Sequence, residues 1–203
     1  MIKRTKFNVS LLGDTSVGKT CLVNSLKGLG FDENQIATIG VDDVIDEAKF
    51  DNKMYKFKIF DTAGQERYTS ISTNTIQLAD GFFLVFAVDN KNSFDRITFW
   101  MQNIEEKVEI NHKVIIIIGN KIDVQGDKRV VSNEEALQFA KKYKLKYLET
   151  SAKTGFRVKE AFKTLYQDIY ELNKKLDKND NIKLSEEDNK NNKKVKGKEK
   201  SIC

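Results

Sequence analysis

The stretch Gly13-Asp14-Thr15-Ser16-Val17-Gly18-Lys19-Thr20 decides how this chain folds. It has the pattern G-x-x-x-x-G-K-[ST], with an alternating apolar run before it and a helix-forming run after it. Glycines let the backbone curl until its amides point inward at phosphate oxygens, and the helix that follows adds the positive end of its dipole. Asp14, Thr15, Ser16, Val17, Gly18, Lys19, Thr20 and the adjoining Cys21 are therefore candidate phosphate contacts. Lys19 is expected to reach the two outer phosphates, and the Thr20 hydroxyl to ligate a Mg²⁺ ion that bridges them. The motif alone does not name the base, because ATPases and kinases of several kinds share it.

Outward from this loop, strand-like and amphipathic runs alternate from residue 5 to about residue 175. That alternation predicts an α/β fold with a six-stranded, mostly parallel sheet flanked by helices. Strands are expected near 5–12, 43–50, 54–60, 81–88, 113–119 and 145–149. Val114-Ile115-Ile116-Ile117-Ile118 is a continuous β-branched run, tolerable only in a strand covered on both faces, and Phe82-Phe83-Leu84-Val85-Phe86 is similar. Asp51-Asn52 between two alternating runs predicts a tight hairpin and hence an antiparallel edge strand. Ser132-Asn133-Glu134-Glu135 and Asn92-Ser93 read as helix caps.

Composition narrows the function further. The 203 residues include 39% hydrophobic ones, enough for one substantial core. The net charge of +5 is concentrated at the end: Lys190 to Cys203 carries six lysines against one acid, Glu199. Nucleic-acid binders spread their basic residues over a folded face, so this distribution argues against nucleic acid and for an anionic membrane surface. From about Asn173 the sequence turns to Asn, Lys, Asp and Glu, which predicts a disordered tail of roughly 25 to 30 residues. No apolar run approaches the ~20 residues that cross a bilayer. Ile2 stands where myristoylation would need glycine. Cys21 and Cys203 are too few for a disulfide framework, so a cytoplasmic, reducing setting is expected. A monomer is expected as well.

Three later motifs select the nucleotide. Asn120-Lys121-Ile122-Asp123 follows the buried strand ending at Gly119, at a carboxyl edge of the sheet. An ionised Asp123 accepts from the N1–H and exocyclic amine of guanine, a pair of donors that adenine lacks on that edge. Ser151-Ala152-Lys153 ends a second strand on that edge, where its backbone meets the base oxygen. Asp61-Thr62-Ala63-Gly64-Gln65-Glu66-Arg67 brings Asp61 to the Mg²⁺ shell through water, the Gly64 amide to the γ-phosphate and Gln65 to the attacking water. Thr38, in Ala37-Thr38-Ile39-Gly40, is placed to close the Mg²⁺ shell once a γ-phosphate is present. A P-loop kinase or ATPase is the competing reading, and Asp123 argues against it. His112 and Trp100 read as ordinary residues without a role.

With these motifs in order, the chain resembles a Ras-superfamily small GTPase over about residues 5 to 175. The resemblance implies a G domain over 1–175, a flexible polybasic tail over 176–203, and two switch segments, Phe31 to Asp43 and Asp61 to Asp80. Phe31 aligns with the aromatic that packs edge-on to guanine. Lys19, Thr38 and Gln65 would carry GTP hydrolysis. Thr15 and Ser16 stand where Ras has glycines and no arginine finger is evident in cis, so slow intrinsic turnover is expected, with an activating protein supplying the arginine.

Within the superfamily the chain is most similar to the Rab branch of vesicle-traffic regulators, on Ile39-Gly40-Val41-Asp42, Lys56-Phe57-Lys58-Ile59-Phe60 and Arg67-Tyr68-Thr69-Ser70-Ile71. Asp43 and Phe60 depart from the Rab pattern of phenylalanine and tryptophan. A Ras-type signalling GTPase and a hydrolysis-poor GTP-binding adaptor are the alternatives. The expected partners are an exchange factor, an activating protein, a dissociation inhibitor and effectors. Prenylation of Cys203 beside the lysines is expected to hold the protein on the cytoplasmic face of an intracellular membrane.

Overall fold

The computed structural model describes residues 4–31, 41–62 and 69–177. The chain divides into two units, Met1–Ile169 and Tyr170–Cys203. In the first, β1 (Lys6–Leu12) leads through the phosphate motif into α1 (Lys19–Leu26). The hairpin β2 (Val41–Phe50) and β3 (Lys53–Thr62) follows, then α2 (Thr69–Leu78) and β4 (Gly81–Ala87). The short α3 (Lys91–Asp95) and α4 (Ile97–Glu105) precede β5 (Val114–Asn120), α5 (Asn133–Lys142) and β6 (Lys146–Glu149). The last helix of this unit, α6, begins at 158 and runs to the unit's end at 169. Of the second unit, residues 170–177 are described; they are helical, and the Lys174 ammonium lies 5.4 Å from the centre of the Tyr170 ring.

The strand order is β2-β3-β1-β4-β5-β6, with only β2–β3 antiparallel. From β1 the chain moves outward to β2 and β3, then crosses back to β4 on β1's other side. The connections therefore diverge at the carboxyl end of β1, which is where open α/β sheets bind ligands. Asp51 and Asn52 make the β2–β3 turn with φ of 44° and 62°. Positive φ at both central residues gives the twist that a two-residue hairpin needs, and Asn and Asp tolerate it.

The central strands β1, β4 and β5 are largely buried, as the continuous apolar runs of β4 and β5 require. All of β4 is buried. Phe82, Leu84 and Phe86 face one side with Ile115, Ile117, Trp100 and Ile104, while Phe83 meets Phe162 of α6 edge-on at 4.9 Å. Each large apolar side chain so removed from water contributes about 1.5–3 kcal/mol. Gly81 starts β4 because a Cβ there would lie 2.6 Å from Ile169 Cδ1.

Ser132 caps α5 as expected, its hydroxyl accepting from the Glu135 amide at 3.0 Å. The cap expected at Asn92-Ser93 lies earlier. Asn90 caps α3, accepting from the Ser93 amide at 3.1 Å, and Ser93 turns inward to bond the backbone at Ala87 and Asn90. A serine inside the first turn of so short a helix cannot be told from a cap by residue type alone. Of the tail expected from about Asn173, residues 173–177 are helical, so irregular chain does not begin there; the rest of the expected tail lies outside the described residues. Among the described residues no helix is long and apolar enough to cross a membrane.

Candidate functional site: three loops at the carboxyl edge of the sheet

The phosphate motif turns away from β1 under tight steric constraint. At Gly13, with φ of 147°, a Cβ would sit 2.1 Å from the Val85 carbonyl oxygen of neighbouring β4. At Gly18, with φ of 93°, it would sit 2.4 Å from Asn120 Nδ2. Only glycine lets the loop approach both strands this closely. Gly18 is also the N-cap of α1, so no capping side chain stands between the first turn of the helix and an incoming anion.

Lys19 is 5% exposed, and its ammonium donates to the carbonyl oxygens of Gly13 at 2.8 Å and Asp14 at 2.9 Å. The cation thus lies across the loop of residues 13–20, on that loop's own carbonyls. Val17 is buried beneath it, and Ser16 adopts φ of 63° without the freedom of glycine.

Asn120 joins this loop to the other two. Its Nδ2 donates to the Val17 carbonyl oxygen at 2.9 Å, while its Oδ1 accepts from the Ala152 amide at 3.1 Å and the Thr150 hydroxyl at 3.2 Å. One buried amide therefore uses both ends to fix the distance between the phosphate loop and the Ser151-Ala152-Lys153 turn.

Asp123 is held in turn by the Ser151 hydroxyl, which donates to its Oδ1 at 2.5 Å and accepts from the Thr154 amide at 3.1 Å. Lys121 has φ of 68° and lies 3.7 Å from the Asp89 carboxylate. The Lys153 ammonium lies 5.5 Å from the centre of the Phe31 ring.

These pieces enclose a cleft of about 300 Å³ walled by Gly18, Cys21, Phe31, Asn120, Asp123 and Lys153 among others. Burial pushes the Cys21 thiol above its ordinary value; Lys121 opposes that and Asp61 adds to it. Asp61 is 2% exposed at the end of β3, in register with Leu11 of β1 beside the loop. Its carboxylate and the Thr20 hydroxyl are hard oxygen donors, which suits Mg²⁺, an ion usually held by one or two protein oxygens with water and phosphate.

The structure thus brings the phosphate loop together with Cys21, Phe31, Asn120, Lys121, Asp123, Ala152 and Lys153. Thr38, Gly64, Gln65 and Cys203 lie outside the described residues. Thr150, Asp89 and Trp100 were among the participants not evident from the motifs. Thr150 is fully buried and completes the Asn120 network, and its place just before Ser151 was the signal. Asp89 follows β4 on the same edge. Trp100, given no role from the sequence, donates its indole N–H to Asp14 Oδ1 at 3.0 Å. Nothing in the spacing of α4 separates that residue from an ordinary core tryptophan.

A phosphate motif at the switch point of a mostly parallel sheet, tied through the Asn120 amide to the Ser151-Ala152-Lys153 turn, defines a P-loop nucleotide-binding protein. Residues 8–171 match the model of the Ras family. The chain is 44% identical over 171 residues to Ras-related protein Rab-8B of Homo sapiens, covering 84% of this chain and 82% of that protein. It is 43% identical over 174 residues to Ras-related protein Rab-8 of Diplobatis ommata, covering 85% and 82%. It is 42% identical over 174 residues to Ras-related protein Rab-8A of Bos taurus, covering 85% and 83%. The chain belongs to the Ras family. It is a small GTPase of Rab-like sequence.

Proposed function

We propose that this GTPase is a Mg²⁺-dependent, Rab-type switch of vesicle traffic that alternates between GDP and GTP at the cleft described above. The observation that carries the site assignment is the Asn120 amide, bonded at once to Val17 of the phosphate loop and Ala152 of the base loop. That bond makes one nucleotide site of motifs about a hundred positions apart.

Asp123, aimed by Ser151, accepts from guanine, and Phe31 and Lys153 flank the ring. Lys19 moves from the loop carbonyls to the phosphates, where its charge is worth more than on neutral oxygens. Thr20 and Asp61 would hold Mg²⁺, which when bound neutralises charge on the phosphate oxygens. Gln65 orients the attacking water, and Thr38 and Gly64 bond the γ-phosphate. Loss of that phosphate releases both switch segments, and this changes which exchange factors, activating proteins, dissociation inhibitors and effectors bind. A prenyl group on Cys203 and the neighbouring lysines would together hold the protein on the cytoplasmic face of a membrane, since one chain alone anchors weakly.

Single-turnover hydrolysis of GTP by the purified protein tests the reaction. Slow release of phosphate, abolished by chelating Mg²⁺ and strongly reduced in Gln65→Leu, is expected. Hydrolysis unaffected by chelation, or equal turnover of ATP, contradicts the assignment. Mass spectrometry of protein from its native cell tests the anchor, and an unmodified terminus would reject the lipid.

A further inference from the structure

A carboxylate inside a phosphate-binding loop is an electrostatic liability. Asp14 supplies one, between Gly13 and Thr15. Its charge would oppose every phosphate brought to the loop unless it were compensated and directed elsewhere.

The structure does both from one short segment. Arg96, which closes α3 and opens α4, places Nε 3.1 Å from Asp14 Oδ1. Trp100, one turn further along α4, donates Nε1–H to the same oxygen at 3.0 Å. The Asp14 side chain is only 15% exposed, so its pairing is weakly screened by solvent. Arg96 is held in turn, its guanidinium carbon 5.0 Å from the centre of the Phe99 ring, and Phe99 meets Trp100 edge-on at 5.4 Å.

Asp14 is thus held from two directions: α4 takes its carboxylate, and the Lys19 ammonium takes its carbonyl at 2.9 Å. An asparagine at 14 could accept the indole bond but would need no guanidinium. The pairing of Arg96 with a charged Asp14 marks this as charge compensation as well as packing.

We propose that Arg96 and Trp100 are positioning residues for the phosphate loop, holding the Asp14 carboxylate neutralised and outward so that its charge does not weaken phosphate binding. This rests on the reading of residues 13–20 as the phosphate site.

The test compares Kd for GTP, GDP and guanosine, each with Mg²⁺, in the parent and in Arg96→Gln, Arg96→Lys, Trp100→Phe and the double variant Arg96→Gln/Asp14→Asn. With Arg96→Gln, Kd should rise about fivefold for GTP, about twofold for GDP and hardly at all for guanosine, following the phosphate charge. Trp100→Phe, which keeps the ring and loses the donor, should give a smaller rise in the same order. Arg96→Lys should stay close to the parent, and removing the Asp14 charge in the double variant should restore GTP affinity. A loss of equal size for all three ligands, or no recovery in the double variant, would overturn the proposal while leaving the nucleotide site intact. A parent that binds guanosine as tightly as GTP would overturn the phosphate reading itself.

Discussion

The side-chain amide of Asn120 donates to the backbone carbonyl of Val17 across 103 positions of sequence, at 2.9 Å and fully buried. The contact fixes the phosphate loop to the end of β5 before any ligand arrives. Replacing Asn120 by Ala removes it together with the bonds to Ala152 and Thr150. Buried groups stripped of a partner cost about 1–3 kcal/mol, more when several are exposed to the loss at once. Asn120→Ala should lower unfolding free energy by about 2–3 kcal/mol and speed GDP release at least tenfold. Urea unfolding and stopped-flow release of a fluorescent GDP measure the two, and an unchanged release rate would show that the bond does not organise the site.

Ser16 holds φ of 63° in the loop, a conformation that costs an L-residue about 1–2 kcal/mol. Ser16→Gly relieves that strain and adds chain entropy to the unfolded state, so the net gain in stability should be up to about 1 kcal/mol. A melting temperature raised by a few degrees in the nucleotide-free protein is the expected outcome. A lower one would show that the Ser16 side chain makes a contact worth more than the strain.

The Glu149 carboxyl lies at the end of β6. Burial alone would push its pKa up, but hydrogen bonds from Arg129, Asn133 and Tyr147 outweigh burial and hold it below the ordinary value of 4.5. Tyr147 donates to Glu149 Oε1 at 2.9 Å, and Arg129 Nη2 donates to the same oxygen. Because the folded pKa is the lower one, this contribution is complete above pH 4.5 and is lost as pH falls through the folded value. Glu149→Gln should therefore be about 1–2 kcal/mol less stable than the parent at neutral pH, with the gap closing below about pH 4.5. Urea melts at stepped pH measure it. A gap that does not narrow in acid would mean that charge is not what the arginine recognises.

Much of this architecture was legible beforehand because its signals are local. Ile115 to Ile118 could be tolerated only between two covered faces, and Asp51-Asn52 could serve only as a turn, so both fixed their elements outright. The loops of the candidate site stood out for the same reason, since phosphate geometry asks for glycine, lysine and a hydroxyl residue at set spacing. What escaped was non-local. Trp100 and Arg96 meet Asp14 across more than eighty positions, and a helix pattern records only that one face is apolar. The true cap of α3 escaped because Asn90, Asn92 and Ser93 are all good caps, and only the backbone path after β4 chooses among them.

On the proposed function, the preference for guanine rests on Asp123, which the Ser151 hydroxyl holds at 2.5 Å on the wall of the cleft. Competition between labelled GDP and unlabelled ATP, with Mg²⁺ present, measures that preference directly. Retention of GDP against a thousandfold excess of ATP is expected, since a site built around two ligand donors rejects a base lacking them by about 10⁴-fold or more. Displacement by ATP at concentrations comparable to GDP would contradict a guanine site at Asp123.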